Sequence, residues 1–153
     1  MSPELVWQLV LSGITTGGTY ALIALGFSLV YNATGVINFA QGEFVMLGGM
    51  ITATTMSAWG LPLWLAVIVA LAITTAVGIA LDRAAIRPAR NASPVTIIII
   101  TVGASIFMRG VACFIWGPNE RVVTAFSGET PIAIWGAHTT PQGLWVLGAT
   151  LVV

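Results

Sequence analysis

Long apolar runs organise this chain from end to end, separated by short polar turns and by one longer polar segment at residues 118–143. Residues 5–31 contain no charged side chain, and further apolar runs occupy residues 39–57, 63–81 and 95–117. A helix needs about 20 such residues to cross about 30 Å of hydrocarbon, so each of these four runs predicts a complete membrane span. A fifth run occupies residues 144–153, and its about 15 Å of helix predicts an incomplete span.

Composition assigns the chain to the integral membrane proteins. Apolar residues make up 58% of its 153 residues and charged residues only 7%, whereas a soluble domain has about 25% charged residues. The predicted fold class is all-α, a polytopic transmembrane helical bundle that forms a single domain over residues 1–153. The N-terminus lacks the positive region of a signal peptide, so the first run is expected to remain as a span.

The few charged and reactive side chains exclude several classes of function. The chain has arginines but no lysine, and it therefore offers no basic face for nucleic acid. A lone thiol, Cys113, can form neither an intrachain disulfide nor a metal site. The sequence contains no nucleophilic triad, no paired catalytic carboxylates and no phosphate-binding loop. We predict no cofactor, no metal and no enzyme activity in this chain.

The placement of the arginines predicts the orientation in the membrane. Arg83, Arg87 and Arg90 lie together in the loop between the third and fourth runs, whereas Arg121 lies after the fourth run. Positive charge is concentrated in the cytoplasmic loops of membrane proteins. The loop with three arginines is therefore predicted to be cytoplasmic. Three spans precede this loop, so the N-terminus is predicted to be extracytoplasmic.

Small residues recur every four positions in the first run, at Gly13, Gly17 and Ala21. Small side chains at this spacing let two helix backbones approach closely, which is how helices associate in lipid. The three residues therefore predict a helix-packing face. A hinge or an interrupted helix at Gly17 and Gly18 is the alternative, since transporters place broken helices near their binding sites.

The clearest polar signal inside the apolar part of the chain is the group Asn38, Gln41 and Glu43, at the head of the second run. Glu43 is the only charged residue between Glu4 and Asp82. One interpretation is a helix start, with Asn38 as the N-cap, Gln41 three positions later and Glu43 near the positive end of the helix dipole. The other is a translocation path or an intracellular gate, because ionisable groups inside membranes usually face cavities.

Helix geometry separates the three side chains of this group. Asn38 and Gln41 share one face of a helix, whereas Glu43 is rotated from them by about 140° and about 200°. One helix therefore cannot direct all three side chains at one point. A capped helix start at the level of a gate fits this geometry better than a substrate pocket does.

Arg109 is a second charged residue inside an apolar run, about 12 Å from the outer end of the fourth span. A structural role is expected for it, in which the guanidinium pairs with a polar group of another helix or subunit. Glu43 is not the expected partner. The two Cα atoms are predicted to differ in depth by about 14 Å, and both side chains lean towards the inner ends of their helices.

Five stretches, in order along the chain, carry a specific pattern. They are residues 19–31 (TYALIALGFSLVY), 35–48 (GVINFAQGEFVMLG), 82–94 (DRAAIRPAR and ASP), 101–105 (TVGAS) and 116–118 (WGP). Together they resemble the N-terminal half of the branched-chain amino acid ABC transporter permeases, in which an arginine–proline loop follows the third helix. The resemblance runs from about Gly13 to Pro118. Gln41 stands where many members of the family have histidine.

The resemblance implies a subunit of a high-affinity importer in the cell inner membrane. In such systems an extracytoplasmic substrate-binding protein delivers leucine, isoleucine or valine. A second permease subunit completes the path through the lipid bilayer, and two ATP-binding cassette subunits drive transport. Family permeases are considerably longer than this chain, and their second half carries the cytoplasmic loop that docks on the ATPase. The resemblance therefore implies that this chain corresponds to an N-terminal half.

Other functions fit the same sequence features. Similar permeases carry urea or short amides. A non-transporting structural subunit of a membrane complex would also need apolar helices, with the polar group at residues 38–43 acting only as a cap. A passive channel for small neutral solutes is the third alternative.

Overall fold

Five α-helices account for most of the chain, and the predicted all-α class is confirmed. The computed structural model describes residues 3–119, 128, 130–134 and 137–152. Arg121, on which part of the predicted orientation depends, lies outside these residues. The helices are α1 (Pro3–Thr34), α2 (Gln41–Trp59), α3 (Leu63–Leu81), α4 (Pro94–Trp116) and α5 (Pro141–Val152).

Length and composition qualify three helical segments of the described chain as membrane spans: Leu5–Thr34, Leu63–Ile86 and Pro94–Trp116. α2 has 19 residues, which gives about 28 Å of helix, but it is richer in threonine, glycine and other polar residues. α5 has 12 residues and is about 18 Å long. The second complete span and the incomplete fifth span therefore stay predictions.

The chain divides into two compact units. Residues 1–29 and 124–153 form the first unit, and residues 30–123 form the second. α1 is continuous from Pro3 to Thr34, which contradicts the alternative of an interrupted helix at Gly17 and Gly18.

In the first unit, α5 packs on α1 at Gly18. A Cβ atom added to Gly18 would lie 3.1 Å from Thr150 Oγ1 and 3.4 Å from Leu147 Cδ2. The Thr150 hydroxyl also lies 3.3 Å from the Gly18 carbonyl oxygen and donates to it. The three predicted packing residues are exposed in this unit: Gly13, Gly17 and Ala21. Their role in packing stays a prediction.

A short β-hairpin precedes α5 in the same unit. β1 (Ile132–Ile134) pairs antiparallel with β2 (Ala137–Thr139), and Ile132 lies opposite Thr139. The sequence indicated only a polar segment here. Each strand has three residues, so the hairpin leaves the all-α class unchanged.

The core of the second unit is formed by α2, α3 and α4. Its buried apolar residues are Ala40, Leu47, Ile51, Ala70, Met108 and Ala112. α2 packs against both of the other helices. Alanine at three of these six positions lets the helix backbones approach closely. α2 therefore packs tightly between α3 and α4.

The start of α2 differs from the predicted one. Ala40 is the N-cap residue, and it makes no side-chain cap hydrogen bond. Asn38 Oδ1 accepts a hydrogen bond from the Ala40 backbone N–H at 3.0 Å, which closes a turn just before the helix. The prediction of Asn38 as the N-cap was wrong. Its side chain satisfies the backbone two residues on, and Gln41 becomes the first residue of the helix.

The arginine loop between α3 and α4 is partly helical. α3 continues into a π-helical turn (Asp82–Ile86). Arg87 Nε donates to Asp82 Oδ2 at 2.6 Å, and both side chains are exposed. The loop ends at Ser93, whose side chain caps α4 by accepting from the Thr96 backbone N–H at 3.3 Å, with Pro94 as the first helical residue.

Candidate functional site

Hydrogen bonds join α2 and α4 at both ends of α2. Near its start, the Phe39 backbone N–H donates to Thr101 Oγ1 at 3.3 Å. Near its end, Trp116 Nε1 donates to Thr54 Oγ1 at 2.7 Å. The paired residues are 62 positions apart in both cases, so the two helices run parallel in one constant register. α2 therefore begins about two and a half turns beyond the start of α4.

Between these two contacts, Glu43 forms an ion pair with Arg109. Arg109 Nη2 lies 2.6 Å from Glu43 Oε1, which is a charge-assisted hydrogen bond. The Glu43 side chain is 7% exposed and the Arg109 side chain is 71% exposed. Ser105, one turn before Arg109, lies level with Glu43 in the same register. Because the carboxylate is shielded from water, its charge depends on its partner Arg109.

This ion pair shows that the predicted separation of Glu43 and Arg109 was wrong. The predicted depths were counted from the end of each residue's own span, as if both spans began at one membrane surface. In the structure α2 begins about 14 Å along α4, and this stagger brings Glu43 level with Ser105. The Arg109 side chain covers the remaining turn by leaning towards the N-terminus of α4.

A sequence signal for this contact was present on α4. Thr101, Ser105 and Arg109 follow one another at intervals of four residues, and side chains at this spacing share one face of a helix. Thr101 is fully buried. The three residues form one polar stripe, and this stripe faces the start of α2.

Asn38 and Gln41 lie on a different side of α2, where both line an open cavity of about 420 Å³. Thr74 and Thr75 of α3 form part of the opposite wall. Glu43 is not among the lining residues. The two amides therefore face a cavity while the carboxylate faces α4, as the helical rotation between them requires.

The arginine loop lies at the same end of the second unit as the turn before α2. Arg87 and Arg90 line a cavity of about 270 Å³ together with Thr34 and Asn38. Arg83 lies in the π-helical turn and is exposed. The structure thus brings two of the three loop arginines to the same place as Asn38.

Neutral amide groups form part of the cavity wall at this site. Within the ranges that the structure describes, no group of three His, Cys, Asp or Glu side chains is placed to hold a metal ion. The side-chain amides of Asn38 and Gln41 can each donate and accept hydrogen bonds without carrying charge. Such a wall can hold a polar solute and release it again.

Comparison with known proteins gives one consistent result. The family model described as branched-chain amino acid transport system / permease component matches residues 9–153. The chain is 37% identical over 131 residues to the high-affinity branched-chain amino acid transport system permease protein LivH of Salmonella typhimurium, which covers 80% of this chain and 42% of LivH.

Two further relatives have the same extent. The LivH protein of Escherichia coli is 34% identical over 131 residues, with the same coverage of 80% and 42%. The permease protein BraD of Pseudomonas aeruginosa is 35% identical over 124 residues, covering 76% of this chain and 40% of BraD. The chain thus spans about two fifths of the length of the curated relatives it matches. No solved structure matches it.

Proposed function

This chain belongs to the family of branched-chain amino acid transport system permease components, and we propose that it acts as a permease subunit of an importer for leucine, isoleucine and valine. The observation that carries this proposal is the family match, which extends over residues 9–153. The three relatives described above are all named as permease proteins of high-affinity branched-chain amino acid transport systems. None of these observations favours a urea permease, a short-amide permease or a structural subunit.

The proposed assembly contains the partners of an ABC importer. A second permease subunit completes the path, and an extracytoplasmic binding protein delivers the amino acid. Two ATP-binding cassette subunits hydrolyse ATP, so the enzymatic step takes place outside this chain. The family match and the three helices of membrane length and composition support a multi-pass protein of the inner membrane. In the proposed orientation the N-terminus is extracytoplasmic and the arginine loop is cytoplasmic.

Within this permease, the start of α2 is assigned to an intracellular gate. Support comes from the cavity of about 420 Å³ that Asn38 and Gln41 line and from the arginines beside Asn38. Neutral amides hydrogen-bond a zwitterion less tightly than charged groups would, which favours release. Glu43 acts from the other side of α2. Its ion pair with Arg109 holds the helix start against α4, so the amides keep their position.

Uptake of labelled substrate tests the transport function. The permease, produced from its own gene with its partner subunits, is expected to restore leucine uptake in cells that lack their own branched-chain importers. Labelled urea and acetamide are the competing substrates. Urea or acetamide uptake without leucine uptake would overturn the assignment, and so would the absence of any ATP-dependent uptake by an assembled complex.

Substitutions at the two amides test the gate. We expect Gln41→Ala and Asn38→Ala to reduce leucine uptake while the amount of permease in the membrane is unchanged. Asn38→Asp keeps an oxygen acceptor for the Ala40 N–H, so it preserves the turn and changes only the charge of the cavity wall. Asn91→Ala, at an exposed amide of the arginine loop, is the matched control. Normal uptake in both alanine variants at the gate would leave their amides with no role in transport.

A further inference from the structure

Three neighbouring cavities of the second unit share lining residues. The cavity at the arginine loop shares Val30, Asn38 and Ile86 with the cavity of about 420 Å³. The cavity of about 420 Å³ shares Phe44, Val45 and Thr74 with a third cavity of about 250 Å³. Because neighbouring cavities share walls, we treat the three as parts of one groove and call it the α2–α3 groove; its walls include Asn38 before α2, Gln41, Phe44, Gly48 and Thr52 on α2 and Thr74 on α3.

The groove follows most of α2 and changes in chemistry along its length. From Gln41 to Thr52 it extends over about 17 Å of helix, out of about 28 Å for the whole of α2. Arg87 and Arg90 line one end together with Asp82, which is paired with Arg87, and Asn38 and Gln41 follow them. Beyond Phe44 the walls are mostly apolar, with two threonines, Thr52 and Thr74; the apolar residues there include Val45, Val67, Ala70 and Leu71.

Phe44 stands where the parts of about 420 Å³ and about 250 Å³ meet, since it lines both of them. Its Cε1 atom is 3.7 Å from the position that a Cβ atom of Gly78 would occupy. The ring of Phe44 therefore reaches across to α3 beside Gly78, at ordinary van der Waals distance. At this level an aromatic side chain of α2 lies against α3.

Thr74 adds a polar group at the same level. Its Oγ1 atom is buried, and among the described residues nothing hydrogen-bonds it. Helical threonines commonly donate to the carbonyl four residues earlier, as Thr52 does to Gly48 at 2.8 Å. A buried hydroxyl without a partner is unfavourable. Thr74 lines the cavities of about 420 Å³ and about 250 Å³ through its other atoms, since Oγ1 itself has almost no accessible surface. Rotation about χ1 would turn the hydroxyl into the groove, where a polar occupant would satisfy it.

We propose that the α2–α3 groove is a path for the transported solute, with Phe44 as its constriction. This inference rests on the proposed function and names the occupant as a small zwitterion with an apolar side chain. The arginine and amide end can hold its carboxylate, the hydroxyl of Thr74 can hydrogen-bond either charged group, and the apolar wall of α3 accepts its side chain. The largest part of the groove, about 420 Å³, lies within the range of about 300–1,000 Å³ that small-molecule sites occupy. An apolar helix packed into the groove would leave the amides and the hydroxyl without hydrogen bonds.

Cysteine accessibility in the assembled importer tests whether solute and water enter the groove. In a Cys113→Ala background, Thr52→Cys and Thr74→Cys are expected to react with a small water-soluble methanethiosulfonate, and excess leucine is expected to slow the reaction. Ile106→Cys, on an exposed apolar face of α4, is the control that should not react. If an importer that still takes up leucine shows no reaction at positions 52 and 74, another helix fills the groove and the inference is overturned. The proposed function would stand in that case, whereas loss of leucine uptake by the unmodified importer would overturn the proposed function itself.

Added bulk in the groove is an independent test. A Cβ atom at Gly48 or Gly49 would meet no atom of the described residues within 4 Å, and both glycines line the groove. Gly48→Leu and Gly49→Leu are expected to abolish leucine uptake without lowering the amount of permease in the membrane. Gly103→Leu on α4, where the space is equally open, should keep uptake. Uptake in the two groove variants equal to that of Gly103→Leu would contradict a solute path.

Phe44 itself is tested by removing the ring. In energy-depleted vesicles Phe44→Ala is expected to let labelled leucine run down its gradient, whereas the unmodified importer does not. Phe44→Leu, which keeps an apolar side chain of intermediate size, should leak less. If both variants insert and assemble but leak no more leucine than the unmodified importer, Phe44 is not a constriction.

Discussion

Glu43 and Arg109 place opposite charges side by side in a part of the chain that otherwise has almost none. Glu43→Gln alone leaves a guanidinium whose carboxylate has gone, and Arg109→Gln alone leaves a carboxylate whose guanidinium has gone. Arg109→Gln is expected to cost about 3 kcal/mol, because it leaves a buried carboxylate unpaired. Glu43→Gln is expected to cost less, because the guanidinium of Arg109 is exposed. Thermal unfolding of the purified permease in detergent measures this loss of stability.

The double variant Glu43→Gln/Arg109→Gln removes both charges at once. It is expected to be more stable than either single variant, since neither charge is left without its partner. Arg87→Gln is the matched control, because its pair with Asp82 is exposed on both sides and contributes about 0–1 kcal/mol. A double variant with the summed loss of both singles would show that the two residues do not act as a pair.

Thr101 connects the turn before α2 to α4 through a single buried hydroxyl. Its Oγ1 accepts from the Phe39 N–H and donates to the Ile98 carbonyl at 2.9 Å. Thr101→Val keeps the shape and leaves the N–H without an acceptor, at a cost of about 1–2 kcal/mol. Thr101→Ser keeps the hydroxyl and should lose less. Equal melting temperatures for the valine variant and the unmodified permease would contradict this role.

Only some of the contacts between individual side chains could be predicted from the sequence. The divergence of Glu43 from Asn38 and Gln41 follows from helical rotation, which depends on sequence separation alone. The contact with Arg109 depends on how far α2 is shifted along α4, and no local pattern fixes that shift. The stripe of Thr101, Ser105 and Arg109 shows which face of α4 is polar, but it does not say what lies opposite.

Among the elements, α2 and α4 form a parallel pair that is joined by hydrogen bonds near both ends of α2. The hydrogen bond between Trp116 Nε1 and Thr54 Oγ1 holds the end away from the arginine loop. Trp116→Phe and Thr54→Val are each expected to lower stability, with a coupling of about 1 kcal/mol between them. A double-mutant cycle on thermal stability measures this coupling. Additive losses would mean that the two side chains do not hold each other.

Element boundaries were predicted best where backbone chemistry marks them. α3 occupies residues 63–81 as the apolar run does, because Pro62 precedes it and Asp82 ends the run. The start of α2 was placed too early, because Asn38 satisfies a turn with the same side-chain oxygen that would otherwise cap a helix. The β-hairpin before α5 was not predicted, since strands of three residues are too short for an alternating pattern.

At the scale of the whole molecule, the orientation in the membrane is the main prediction still to be tested. The end of α2 and the arginine loop flank α3, so the two lie on opposite sides of the membrane if α3 crosses it. In a Cys113→Ala background we expect a membrane-impermeant thiol reagent to label Ala58→Cys in intact spheroplasts. Asn91→Cys should be labelled only after permeabilisation. The reverse pattern would place the N-terminus in the cytoplasm.

The constant offset of 62 residues between α2 and α4 also determines where the chain can change length. One residue inserted between Phe39 and Thr54 would turn the rest of α2 by about 100°, so the contacts of Glu43 or Thr54 would lose their partners. The same insertion in the exposed part of the arginine loop would leave both helices in register. Insertions and deletions among close relatives should therefore occur in that loop and be absent from α2 and α4.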